Sequence, residues 1–167
     1  MKCLLIIDVQ NGFVSKRTEH ILPKLRGLCD VFKGEITIAT KFVNADNSPY
    51  EVFIDWHRLK RSPEIDVVDF VSSYAQKVFE KNIYSSCTNE LMGFLEEHKI
   101  KEVYLAGIDT DCCVLKTATD LFERGIRPLV LTDYCASNGG EESHRAAIRV
   151  MERTIGKKQI LYGEFSQ

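Results

Sequence analysis

The sequence predicts an α/β fold: one domain built on a doubly wound, mostly parallel six-stranded sheet with helices on both faces. Three observations predict it. Short strand-like segments alternate along the chain with segments of helical periodicity. The first strand is apolar at every position instead of every second one, as expected when both faces of a sheet are covered. No repeat, low-complexity tract or linker interrupts the 167 residues, a length that fits one domain and buries a sizeable core.

The elements follow in order. Cys3–Val9 (CLLIIDV) is a buried strand, and Ile21–Phe32 carries apolar residues at helical spacing. Glu35–Phe42 is the second strand, and the turn-rich Asn44–Tyr50 is a loop. Val52–Leu59 reads as a short helix, and Val78–Glu80 as a short strand after the segment Val67–Tyr74. Thr88–His98 is helical, with Thr88 placed to cap it. Lys101–Gly107 is a strand, and Asp111–Arg124 a helix ended by Gly125. Arg127–Asp133 is a strand, Glu141–Arg153 a helix, and Gln159–Tyr162 a last short strand. Right-handed crossovers wind such a chain into a Rossmann-like sheet, with ligands at the carboxyl ends of the strands.

Composition excludes several classes. A formal net charge of −2, with both signs interleaved, offers no field for nucleic acid or an anionic membrane. No apolar run is long enough to span a bilayer. Met1-Lys2 runs straight into a strand, so no leader peptide is expected. None of the six cysteines has C-x-x-C or zinc-type spacing, and a reducing cytoplasm suits them best. There is no G-x-G-x-x-G, no Walker lysine motif and no G-x-S-x-G elbow.

Three segments at the predicted ligand edge carry chemistry. In GIDTDCCV, Gly107–Val114, a strand ends, a glycine permits a tight turn and a helix starts, with Thr110 or Asp111 placed to cap it. A cysteine in a first helical turn meets free N–H groups and partial positive charge, which favour a thiolate and can receive an oxyanion. Neighbouring helical residues point about 100° apart, so only one of Cys112 and Cys113 faces the site, and spacing leaves the choice open. The bland reading makes both small core residues. Asp8 closes an apolar strand, where a carboxylate is costly unless paired or functional; it is either a general base or a turn cap. Lys81 follows another strand and is either an electrostatic partner or a surface lysine.

Together, IIDVQNGF, VFEKNIYSS and GIDTDCCV with Thr117-Ala118 downstream resemble the isochorismatase-like cysteine hydrolases, the group that includes nicotinamidases and N-carbamoylsarcosine amidases. The resemblance runs from Leu4 to about Ile160. It implies Asp8, Lys81 and Cys113 as a catalytic triad, the nucleophile being the cysteine directly before Val114. It implies a cis peptide between Ile108 and Asp109, and an oxyanion hole from the backbone N–H groups of Asp109 and Cys113. It further implies a cytoplasmic homo-oligomer, dimer or tetramer, acting on a small-molecule substrate. The expected reaction is cleavage of an amide or other C–N bond through a thioester. The competing reading is a catalytically silent or redox-sensing binding module on the same fold.

The chain also departs from these relatives. Nicotinamidases hold a metal through Asp and His just after the second strand, whereas here TKFVNADNS puts Phe42 and Asn44 there. Asp55-Trp56-His57 comes too late, inside the predicted helix, so no metal and no cofactor are expected. Phe13, Trp56 and Tyr84 are the candidate pocket residues, with Trp56 and Tyr84 also readable as packing. His144, at the start of a helix, reads as structural, with a second acid–base role as the alternative.

Overall fold

The computed structural model describes residues 2–166. Its six strands are β1 Cys3–Ile7, β2 Ile36–Phe42, β3 Lys77–Lys81, β4 Glu102–Ile108, β5 Arg127–Ala136 and β6 Ile160–Leu161. Its α-helices are α1 Leu22–Val31, α2 Pro49–Ile54, α3 Asp69–Tyr74, α4 Asn89–Glu97, α5 Leu115–Glu123 and α6 Glu141–Met151. The strands form one sheet in the order β3-β2-β1-β4-β5-β6, and every pairing is parallel.

The all-apolar β1 has the predicted cause. Cys3, Leu5 and Ile7 point into one core, with Leu91 and Leu95 of α4, Ala118 and Leu121 of α5, and Met151 of α6. Leu4 and Ile6 point into the other, with Leu25 and Leu28 of α1 and Phe70 and Val71 of α3. Each strand residue is therefore buried whichever way it faces. All six cysteines are free. No helix among the described residues is long and apolar enough to cross a membrane.

Several boundaries differ from the sequence reading. β1 stops at Ile7, because Asp8 takes a left-handed backbone with φ 51° that no strand continues. β5 runs on through Tyr134-Cys135-Ala136, past Thr132-Asp133, where polarity suggested an end. A register shift lets it do so: Leu105 pairs with Val130, but Gly107 pairs with Cys135. The expected helix Val52–Leu59 is instead α2, started by Ser48, whose side chain accepts from the Glu51 N–H, and closed by left-handed Asp55. Trp56 and His57 thus lie beyond it. Val67–Tyr74 supplies helix α3. Thr88 caps α4 as expected, accepting from the Leu91 N–H.

The strand order reverses between β1 and β4, which diverge into neighbouring connections on opposite sides of the sheet. This is where a doubly wound sheet opens a crevice. Gly107 lets the two strands approach there, since a Cβ on it would lie 2.1 Å from the Ile7 carbonyl oxygen. Its φ of 133° is also one that L side chains rarely adopt.

Candidate active site

Three strand ends converge at that crevice. Asp8 leaves β1, Lys81 closes β3, and the chain leaving β4 turns into a π-helical turn, Thr110–Val114, that carries Cys113. Lys81 Nζ stands 2.6 Å from Asp8 Oδ2 and 3.5 Å from Cys113 Sγ. The Asp8 and Lys81 side chains are 0% and 1% exposed, so this ion pair is fully desolvated. Lys81 also donates to the carbonyls of Ile83 and Tyr84, at 2.9 and 3.1 Å. Cys113 is the cysteine that faces these groups. Cys112 is half-buried and lines the pocket above them.

The supporting contacts explain the precision. Thr40 Oγ1, at the end of β2, donates to Asp8 Oδ1 at 2.7 Å. That bond occupies one carboxylate oxygen; Oδ2 has the Lys81 ammonium as its ion partner. Thr117 of α5 accepts from the Ser86 N–H and donates to the Ser86 hydroxyl, which fixes the loop that supplies the carbonyls holding Lys81. Gln10 is wholly buried: its amide donates to the Phe42 and Ile65 carbonyls and accepts from the Phe42 N–H. Sequence reasoning missed Thr40 and Gln10. The signal available for Thr40 was the second of two hydroxyls in a buried strand, the one near its carboxyl end.

Protonation at this site differs from the sequence expectation in one respect. A thiolate was expected at the helix start. Burial, reinforced by the Asp8 carboxylate, instead drives the Cys113 thiol well above its ordinary range despite the opposing pull of Lys81. Burial works against the charge of Lys81 too, but Asp8 and Cys113 outweigh it and raise Lys81 overall. The resting arrangement is a thiol beside a carboxylate–ammonium pair. The helix start provides N–H groups and does not ionise the sulfur by itself.

Ile108–Asp109 is a cis peptide. The Cys112 and Val114 N–H groups both return to the Asp109 carbonyl. Outside helices and strands, no backbone carbonyl takes the N–H of Asp109 among the described residues. Neither Thr110 nor Asp111 caps the turn as expected, because both side chains are committed elsewhere. Thr110 Oγ1 pairs with His144 Nδ1 at 2.8 Å, and Asp111 accepts from Ser137 at 2.6 Å. His144 therefore buttresses the back of the turn and lines a second cavity, away from Cys113. Burial lowers its pKa.

Above the sulfur lies a pocket of about 280 Å³. Phe13, Trp56 and Tyr84 all line it, with Phe42 and Tyr50, which the sequence reading did not single out. Phe13 and Trp56 stack with centroids 6.0 Å apart and planes 8° from parallel. Tyr50 meets Tyr84 edge-on at 5.1 Å.

The donor set after β2 does not fit a metal. The Asn44 amide donates to the carbonyls of Trp56 and Arg58 and accepts from Ser48, so it is a loop tie with nothing to offer an ion. Asp55 and His57 pair with each other at 2.7 Å on the exposed surface. Among the described residues, no three His, Cys, Asp or Glu side chains gather as a metal site.

Known proteins share this fold. A nicotinamidase from Bacillus subtilis superposes with a TM-score of 0.84 at 24% identity, covering 98% of this chain and 99% of that one. Isochorismatase family protein 1A of Dictyostelium discoideum is 40% identical over 68 residues, a stretch that spans 40% of this chain but only 33% of that relative's length. A nicotinamidase from Acinetobacter baylyi is 44% identical over an alignment of 170 positions covering 79% of each protein. The Isochorismatase domain family matches residues 2–159. With nearly the whole chain inside that match, this protein belongs to the isochorismatase family.

Proposed function

We propose that this protein is a cysteine-dependent amidase that cleaves a small-molecule C–N bond through a thioester on Cys113. The observation that carries the reading is the contact of Lys81 with both Asp8 and Cys113 at the floor of an aromatic pocket. The nicotinamidase relative supports the same bond type.

In this reading Asp8 is the general base, with Oδ1 held by Thr40 and Oδ2 turned to the reacting groups. It takes the Cys113 proton as sulfur attacks the carbonyl carbon. Sulfur rests as the protonated thiol, so proton transfer accompanies attack. Lys81 keeps the site's net charge balanced as negative charge passes from Asp8 to sulfur and on to the substrate oxygen. The N–H groups of Asp109 and Cys113 receive that oxygen. Asp8 then gives its proton to the departing nitrogen, and the C–N bond breaks to leave a thioester and an amine or ammonia. Water, deprotonated by the same carboxylate, releases the acid and restores the thiol. No step needs a metal or an organic cofactor.

A screen of small amides, ureido acids and carbamoyl compounds, run on the wild type and on Cys113→Ala, tests this. Turnover is expected to fall by about 10⁴-fold or more in the variant. Mild alkylation is expected to label Cys113 selectively and to slow in Asp8→Asn. Full activity in Cys113→Ala, or equally slow labelling of Cys112 and Cys113, sinks the reading.

A further inference from the structure

The side chain of Asp109 has no part in the mechanism above, yet the residue lines the pocket, and its carboxylate bears on the charge of Tyr84 across it. Asp109 occupies the N-cap position of the π-helical turn, where an aspartate ordinarily folds back onto the free N–H groups. Here it makes no such cap. It turns instead toward the start of the β5–α6 connection, where Asn138 donates to it twice, from its backbone at 2.8 Å and from Nδ2 at 2.9 Å. Both bonds fall on Oδ1. Oδ2 receives no donor among the described residues.

The Asn138 clamp is itself held on several sides. Its Nδ2 also donates to the Phe13 carbonyl, its Oδ1 accepts from Ser15, and its carbonyl accepts from Arg17. The carboxylate is thus fixed in place with one oxygen left over. Beyond the mutually paired Asp8 and Lys81 at its floor, the other charged residue lining the pocket among the described residues is Arg58, whose Nε and Nη2 are already spent on Glu64. The remaining walls are largely aromatic. A carboxylate oxygen facing aromatic faces is costly alone and fits a cation well, because ring faces and carboxylate both attract positive charge.

We propose that Asp109 Oδ2 selects the substrate, and that the substrate is a small amide carrying a protonated amine near the scissile carbonyl. The nearness follows from the chain. The backbone N–H of this same residue is one proposed donor to the carbonyl oxygen, so its carboxylate reaches only groups a few bonds from that carbonyl. Burial, opposed by Asn138, pushes Asp109 up to about 6. The group is therefore mainly ionised at neutral pH, and the selection fades as pH falls through that value. The inference rests on the amidase reading for its substrate class, but its binding component is separable from catalysis.

The test uses Cys113→Ala protein, which binds without turnover, and matched pairs: alaninamide with propionamide, and phenylalaninamide with 3-phenylpropanamide. Titration calorimetry is expected to show the amino member of at least one pair binding about tenfold or more tighter, as a charge-assisted contact in a dry site provides. Asp109→Asn, which keeps an acceptor for Asn138, is expected to erase that preference. Equal or undetectable binding within every pair, or a preference that survives Asp109→Asn, overturns the inference. Selective Cys113 labelling with no ammonium preference sinks this inference alone and leaves the amidase reading standing. Inert Cys113 with an intact, Asp109-dependent preference does the reverse.

Discussion

The floor and the outer wall of the pocket are built on different principles. The floor is Asp8, Lys81 and Cys113, set on strand ends and a helix start and buried between two apolar cores. The wall is the connection from β2 to α3, which carries Tyr50, Trp56 and Arg58. Its helix α2 contains no buried residue, and Val52, Phe53 and Ile54 are 63%, 80% and 61% exposed. Sheet hydrogen bonds and core packing position the floor. Side-chain ties position the wall: Asn44 on the Trp56 and Arg58 carbonyls, and Glu64 on Arg58 and the Leu59 N–H. The contrast teaches a division of labour, with reactive groups set among buried strand ends and aromatic recognition groups on a surface connection.

That comparison is open to breakage, first and most severely at the floor. Lys81→Met leaves the Asp8 carboxylate buried without its countercharge. A loss of about 3–5 kcal/mol in urea unfolding is expected. Adding Asp8→Asn to it should recover much of that loss while leaving the protein inactive. A single variant as stable as wild type would show the floor to be less dry than described.

The border between the regions gives a smaller effect of opposite sign. Burial raises Asp109 from the ordinary 3.8 to about 6, so the folded state holds this proton more tightly than the unfolded chain. Such a carboxyl costs stability as pH rises from about 4 to 6, and the cost stays in place above that range. Asp109→Asn removes it. The variant is expected to be about 1–3 kcal/mol more stable than wild type at pH 7 and nearly equal to it at pH 4. A variant destabilised at pH 7 would contradict the half-satisfied carboxylate.

The wall should yield the smallest change. Asn44→Ala frees two carbonyls and one hydroxyl, for an expected loss of about 1–2 kcal/mol. Because it loosens Trp56 and Arg58 alone, KM should rise while the rate of Cys113 alkylation stays unchanged. A fall in alkylation rate would mean that wall and floor are coupled.

Legibility followed the same division. The strand sequence, the parallel sheet and the cores on both faces were readable because complete burial leaves a continuous apolar run such as CLLII. Asp8 and Cys113 stood out as polar or reactive groups at strand ends, whereas singling out Lys81, and choosing Cys113 over Cys112, needed the family pattern. The extension of β5 was hidden, since a register shift pairs Gly107 with Cys135 across polar residues that locally read as a strand end. Helix α2 was misplaced by three residues at its start because Ser48 and Pro49, a cap and a first-turn proline, were read as loop. Thr40, Gln10 and Asn138 were missed because each acts through a partner 29 or more residues away.

The sequence by itself determined the alternation of elements, the burial of both sheet faces and the residue types gathered at one edge, because local periodicity and hydrophobicity encode these directly. The tertiary structure decided which sulfur meets the ion pair, that burial raises its pKa, and that Asn138 takes one oxygen of Asp109. Those depend on desolvation and on distances of a few ångströms between strands far apart in sequence, which no local pattern records.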